Sequence, residues 1–198
     1  PDIISTSIVA VLCGASDRIN EIFRLPVDCE VHEKQPDGGE AYGLRWWPSK
    51  GAAPMVKWII GTIVDVVKDA VSKLRKETKE ARRMARWYEE NPNRVYLPED
   101  CLHLKGEKLI TGKDVSKIIG LAQPDEGIRW AWNVGVKETK SGHHIYFNFH
   151  EFEKAIIKML PRHFPFLNPE TSLNYSGALL VVPRNVFHPR RVAYRCMF

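Results

Sequence analysis

The side chains able to do chemistry in this chain are mostly cations. Residues 13–31 read CGASDRINEIFRLPVDCEV, in which Arg18 and Glu21 stand three apart. On a helix that spacing puts both groups on one face, as an ordinary surface ion pair or as a carboxylate supporting a guanidinium. A guanidinium is a planar fork that stays charged at physiological pH and matches two phosphate oxygens at once. Lys50 opens Lys50-Gly51-Ala52-Ala53-Pro54, a turn sequence in which a lysine also serves solubility. Arg75, Lys76, Lys79, Arg82, Arg83 and Arg86 crowd one stretch. They form either a solvated basic face, with pairs such as Lys76–Glu80 and Arg86–Glu90, or a helix lying along phosphates. The net charge of +5 suits a polyanionic partner such as nucleic acid. Cys13, Cys29, Cys101 and Cys196 are widely spread without a C-x-x-C pair, so zinc spacing is absent and no metal or other cofactor is implied. Reduced thiols in a cytoplasmic protein are the expected state.

These residues need elements to position them. The apolar run from Ile3 to Cys13 reads as a buried helix ended by Gly14, and Ser16 or Asp17 can cap a short helix over 18–24. Strands are expected over 27–33, 42–47 and 55–60, joined by turns at Pro36-Asp37-Gly38-Gly39 and at 50–54, which makes an antiparallel meander. A long amphipathic helix is expected from about Thr62 to Glu90, with Ile63, Val67, Ala70, Val71, Leu74, Thr78, Ala81, Ala85 and Tyr88 inward. Asn91-Pro92-Asn93 ends it. Thr111-Gly112-Lys113-Asp114 resembles a capping box for a helix stopped by Gly120. Pro124 opens another helix, with Ile128, Ala131 and Trp132 turned inward. A polar loop over 137–142, a strand over 144–147 and a capped helix from Asn148 to Leu160 follow. Ala178 to Val182 is a candidate strand. No apolar run reaches the roughly 18 residues of a membrane span.

In order, these features resemble the front half of the catalytic domain of tyrosine recombinases, the phage-integrase type of DNA breaking and joining enzyme. The turn after the first helix, Arg18-Ile19-Asn20-Glu21, then Leu25 and Asp28 before a strand, is similar to that family's first conserved box. Gly43 to Gly51 followed by Met55 to Ile59 resembles its β-hairpin. The resemblance implies that Arg18 is a catalytic arginine, that Glu21 supports it, and that Lys50 is the catalytic lysine. An arginine fixed in place stabilises charge on the non-bridging oxygens of the scissile phosphate. A lysine can protonate the leaving oxygen, and a tyrosine nucleophile gives a phosphotyrosyl intermediate without a metal. The family's second box is a helical H-x-x-R with the tyrosine further on. His188-Pro189-Arg190-Arg191 fits it literally, but its prolines read as loop and Tyr194 follows too soon. The chain, starting at Pro1, is therefore expected to be cut from a larger protein and to stop before that box, which leaves it inactive alone.

Leu109 to Leu121 resembles the first helix of winged-helix DNA readers of the MerR or excisionase type, and the following helix, charged loop, strand and helix keep that order. The expected fold is α+β: mainly helical, with a small antiparallel three-stranded sheet and a small winged-helix-like insert. The expected divisions are 1–98 as the recombinase half, 99–163 as the insert, and 164–198 as a Pro/Arg-rich connecting segment. Lys57, Arg129, Lys137 and Lys140 are the candidate DNA contacts, Arg129 for base edges and Lys137 and Lys140 for phosphates. The partners implied are double-stranded DNA and further copies of the same protein on it, with no membrane. Three functions stay open: a recombinase fragment, a non-enzymatic DNA-binding module of a mobile-element protein, and an interaction piece without a DNA role.

Overall fold

The computed structural model describes residues 2–15, 18–36, 38–47, 53–142 and 144–198. The fold is α+β, and the chain divides into two units: Pro1–Arg82 with Phe166–Val181, and Arg83–Pro165 with Val182–Phe198.

The first unit begins with helix α1 (Asp2–Ala15), which buries Ile4, Ser7 and Val11 along one face. Ile3 and Val9 stay about half exposed, so α1 is packed on one side only and is not the fully buried helix its composition suggested. It lies on α3 (Val64–Glu77), and Gly14 permits the approach, because a Cβ there would collide with Val67 Cγ2. Helix α2 is a single turn, Ile19–Ile22. Strands β1 (Glu30–Lys34), β2 (Glu40–Trp46) and β3 (Met55–Trp58) form an antiparallel sheet in the order β1-β2-β3. Tyr42, Leu44 and Trp46 alternate inward along β2, as the two-residue period of a half-buried strand requires. Gly43 pairs with Trp58, where a Cβ would meet Val56 and the indole at 2.7 and 2.8 Å.

The expected single helix over 62–90 is instead a 3₁₀ turn, Gly61–Ile63, followed by α3 and α4 (Lys79–Glu90), with Thr78 between them. Thr78 is fully buried, and the single proton of its hydroxyl is shared between the Leu74 carbonyl at 2.7 Å and the Leu179 carbonyl at 2.8 Å. A threonine bonded back to the i−4 carbonyl competes with the backbone ladder and bends a helix. The stretch 177–179 is held on its other side by Val27 N to Gly177 O (2.8 Å) and Leu179 N to Leu25 O (2.7 Å). It is a bridge between Pro26 and Ala178, not the strand expected over 178–182. A hairpin of β7 (Phe166–Asn168) and β8 (Leu173–Asn174) completes the unit.

The second unit is built on Met84, Ala85 and Tyr88 of α4. The Tyr88 hydroxyl donates to Cys196 O at 2.7 Å and accepts from Tyr96 N at 3.2 Å. A 3₁₀ helix, Glu99–Leu104, precedes β4 (Leu109–Thr111), α5 (Gly112–Ile119), α6 (Pro124–Asn133), β5 (Glu138–Ser141), β6 (His144–Asn148) and α7 (Phe149–Lys158). Its sheet is antiparallel in the order β4-β6-β5. Thr111 and Asp114 form the full capping box, and Gly120 stops α5 at φ +95°. Gln123 and Glu126 make a second capping box on α6, while Asn148 caps α7 through Glu151 N. Helices α5 and α6 pack closely, because a Cβ on Gly127 would overlap Gly112 O and Ser116 Oγ. Val115, Ile118, Ile119, Ala131, Phe147, Phe152 and Ile156 are buried. Trp132, expected inward, is 48% exposed. Trp130 takes the inner place, edge-on to Phe152 with centroids 5.7 Å apart.

Candidate functional site

Arg18 is exposed and stands at the N-cap of α2 in extended backbone (φ −81°, ψ 142°), without a side-chain capping bond. Its carbonyl accepts from Glu21 N at 2.9 Å, and Glu21 O accepts from Arg24 N at 3.0 Å, so the turn closes on backbone bonds. Ile22 and Leu25 are fully buried beneath it and fix its position, while Glu21 is half-buried and Asp28 exposed. Ser16, Asp17 and Lys50 lie outside the described residues, Lys50 within the connection from β2 to β3. Lys57, on the edge strand β3, is half-buried with its ammonium 5.2 Å from the centroid of the Trp46 ring. Burial there lowers its pKa.

Part of the basic stretch works internally. Arg75 donates to Val27 O at 3.2 and 2.9 Å and to Glu30 Oε2 at 2.6 Å. Burial opposes ionisation of Glu30, but hydrogen bonds from Arg75 and Tyr42 outweigh it and hold the carboxyl below its ordinary range. Arg82 donates to Thr78 Oγ and to Arg75 O. Arg83 donates to the Tyr96 hydroxyl. Lys76, Lys79 and Arg86 are exposed.

In the second unit, Arg129 is exposed on α6, Lys137 is exposed just before β5, and Lys140 is exposed on β5. Lys140 Nζ lies 3.1 Å from Glu138 Oε1, and Trp132 Nε1 donates to Glu138 Oε2 at 2.9 Å. The hydrogen bond from Lys140 holds the Glu138 carboxyl below its usual pKa. Trp132 therefore fastens the end of α6 to the β5–β6 hairpin, which explains its outward position.

No family model, curated protein or solved structure matches the chain. The functional reading therefore rests on the residues and their geometry.

His188, Arg191 and Tyr194 lie in irregular backbone, not in a helix. His188 Nδ1 accepts from Arg190 N at 3.1 Å, a bond within the loop. The Tyr194 hydroxyl accepts from Trp130 Nε1 at 2.9 Å, and its amide donates to Arg184 O. Of the other tyrosines, Tyr42, Tyr88 and Tyr96 are buried and bonded through their hydroxyls, and burial raises the pKa of Tyr42, Tyr88 and Tyr175. Among the described residues no helix is long and apolar enough to cross a membrane. Sequence reasoning missed a cleft of about 870 Å³ in the second unit. Its signal was present, since Arg83, Arg86, Trp87, Arg94 and Tyr96 alternate cations with aromatics.

Proposed function

We propose that this chain is the front half of the catalytic domain of a cytoplasmic site-specific DNA recombinase of the tyrosine, phage-integrase type. In this reading Arg18 and Lys50 act on the scissile phosphate, Glu21 supports Arg18, and the tyrosine nucleophile comes from outside these 198 residues. The observation that carries it is Arg18 itself. An exposed guanidinium stands at a backbone-closed turn pinned by Ile22 and Leu25, directly before a three-stranded antiparallel sheet, and Lys50 falls in sequence between the second and third of those strands. The guanidinium itself is exposed, and bidentate contact with the scissile phosphate would orient it toward the developing phosphorane charge. Further copies of the protein on double-stranded DNA belong to the same proposal.

A second reading, a non-enzymatic DNA-binding module of a mobile-element protein, is favoured by one observation. The sequence β4–α5–α6–β5–β6 with sheet order β4-β6-β5 follows a winged-helix plan, with Arg129 exposed on the second helix and Lys137 and Lys140 on the wing. A DNA-reading second unit fits either reading, and the two differ in whether Arg18 acts on a scissile phosphate.

The test is made on the gene product containing these residues, in its host cells. Covalent protein–DNA complexes are captured after detergent lysis. The proposal expects such complexes, reduced by about 10²- to 10³-fold on Arg18→Ala, the scale of one lost donor to a transition-state oxyanion. Adducts that are absent from the wild type, or that persist undiminished in Arg18→Ala, contradict the enzymatic reading and leave the DNA-binding one.

A further inference from the structure

The cleft in the second unit is lined by none of Arg18, Arg129, Lys137 or Lys140. One wall is the face of α4 bearing Arg83, Arg86, Trp87 and Glu90, whose spacing stacks them on one side of a helix. Val95, Leu97 and Phe149 supply apolar lining, and Leu102 adds a side chain 55% exposed. Trp87 is half-buried and meets Tyr96 edge to face with centroids 6.2 Å apart, and Arg83 lies 5.7 Å from the Tyr96 centroid. Arg86, Arg94 and Lys105 are exposed cations. The lining carboxylate Glu153 is only 3% exposed and engaged internally, accepting from Val95 N at 3.2 Å and lying 3.6 Å from Arg94 Nη1. With Glu153 set against Arg94, the cations Arg83, Arg86 and Lys105 stand beside the carboxylates Glu90 and Glu99, and Arg94 meets a ligand by sharing its charge with Glu153.

We propose that this cleft binds unpaired nucleotides of a single-stranded nucleic acid, a base against the Trp87 indole and the flanking phosphates on Arg86, Arg94 and Lys105. Aromatic platforms interleaved with cations are the chemistry that holds single strands without needing a sequence. A concave space of about 870 Å³ suits a small ligand or a nucleotide or two. Glu90 and Glu99 repel phosphates and peptide carboxylates alike, and it is the aromatic faces of Trp87 and Tyr96 that favour a base over an acidic side chain. In this proposal the two carboxylates accept hydrogen bonds from exocyclic amino groups of bases, so cytosine is favoured over thymine. The inference does not depend on the recombinase reading, since it uses neither Arg18 nor Lys50.

The test titrates the whole chain into fluorescein-labelled oligo-dC and oligo-dT of about twelve nucleotides, within the site size of such grooves. Fluorescence anisotropy is read at two salt concentrations, with saturating unlabelled duplex DNA present to occupy duplex-binding surfaces. The expected result is salt-sensitive binding, tighter for oligo-dC. It weakens about ten-fold on Trp87→Ala and is largely kept by Trp87→Phe. Arg86→Ala weakens it and flattens the salt dependence, and Lys158→Ala leaves it unchanged. Absence of wild-type binding under these conditions overturns the proposal. So does a Trp87→Ala variant with unchanged circular dichroism and undiminished affinity. Binding of an acidic, tryptophan-containing peptide in place of oligo-dC, lost in Trp87→Ala, also overturns it.

Discussion

Arg18 and Arg75 are indistinguishable as letters in a basic sequence, and what separates them is a carboxylate. Glu30 and the Val27 carbonyl take up Arg75, whereas Arg18 is left facing solvent at a helix start. Because Glu30 has its folded pKa below the ordinary value near 4.3, its stabilising effect is complete above that value. That effect is lost as pH falls through the lower folded pKa, so acid destabilises the native chain there. Glu30→Gln is expected to lower stability at neutral pH by about 1 kcal/mol, allowing for the partial exposure of the pair, and to flatten that acid limb. Urea unfolding between neutral pH and about pH 3 checks both expectations, and an unchanged acid limb counts against the assignment. Thiol chemistry gives a second check at this scale. Cys13 is exposed, while Cys29, Cys101 and Cys196 are buried, burial pushing Cys29 and Cys196 up to about 12. A disulfide-exchange reagent should therefore label Cys13 rapidly in the native chain and the other three only after denaturant is added. Fast native labelling of a Cys13→Ser variant would show the buried assignments to be wrong.

Elements were legible in the sequence where local chemistry decides them. The capping box at Thr111, the stop at Gly120, Pro124 opening α6 and the meander of β1 to β3 all follow from residue types acting over one turn. The break between α3 and α4 at Thr78 was not legible, because Thr78 also bonds the Leu179 carbonyl about a hundred residues away. The inward–outward exchange of Trp130 and Trp132 was hidden for the same reason, since Tyr194 and Glu138 decide it. At the candidate site, Arg18 and its turn could be read from R-I-N-E, but not the internal use of Arg75 and Arg82. Two long-range contacts offer tests. Thr78→Val removes a buried donor from two carbonyls and is expected to cost about 1–3 kcal/mol. Gly127→Ala forces a methyl into the α5–α6 contact and is expected to cost about 1–3 kcal/mol or more. Either variant unfolding at the wild-type urea midpoint would show that the contact is slack.

At the scale of the whole chain, +5 net charge is spread over two units that each carry a distinct set of outward cations. Arg18 belongs to the first, and Arg129, Lys137 and Lys140 belong to the second. If the account is right, these sets contribute separately to duplex binding. Replacing Lys140 should weaken all sequences alike, while replacing Arg129 should relax sequence preference at about 1–3 kcal/mol. The most direct measurement of the central claim is a duplex-DNA titration of the purified 198-residue chain at several salt concentrations, with each sample also run on a denaturing gel. The account predicts affinity that falls linearly with salt on logarithmic axes, weakens with Arg18→Ala and with Lys50→Ala, and leaves no covalent adduct. Salt-independent or absent binding, binding indifferent to both substitutions, or an adduct that disappears on Tyr194→Phe would contradict it.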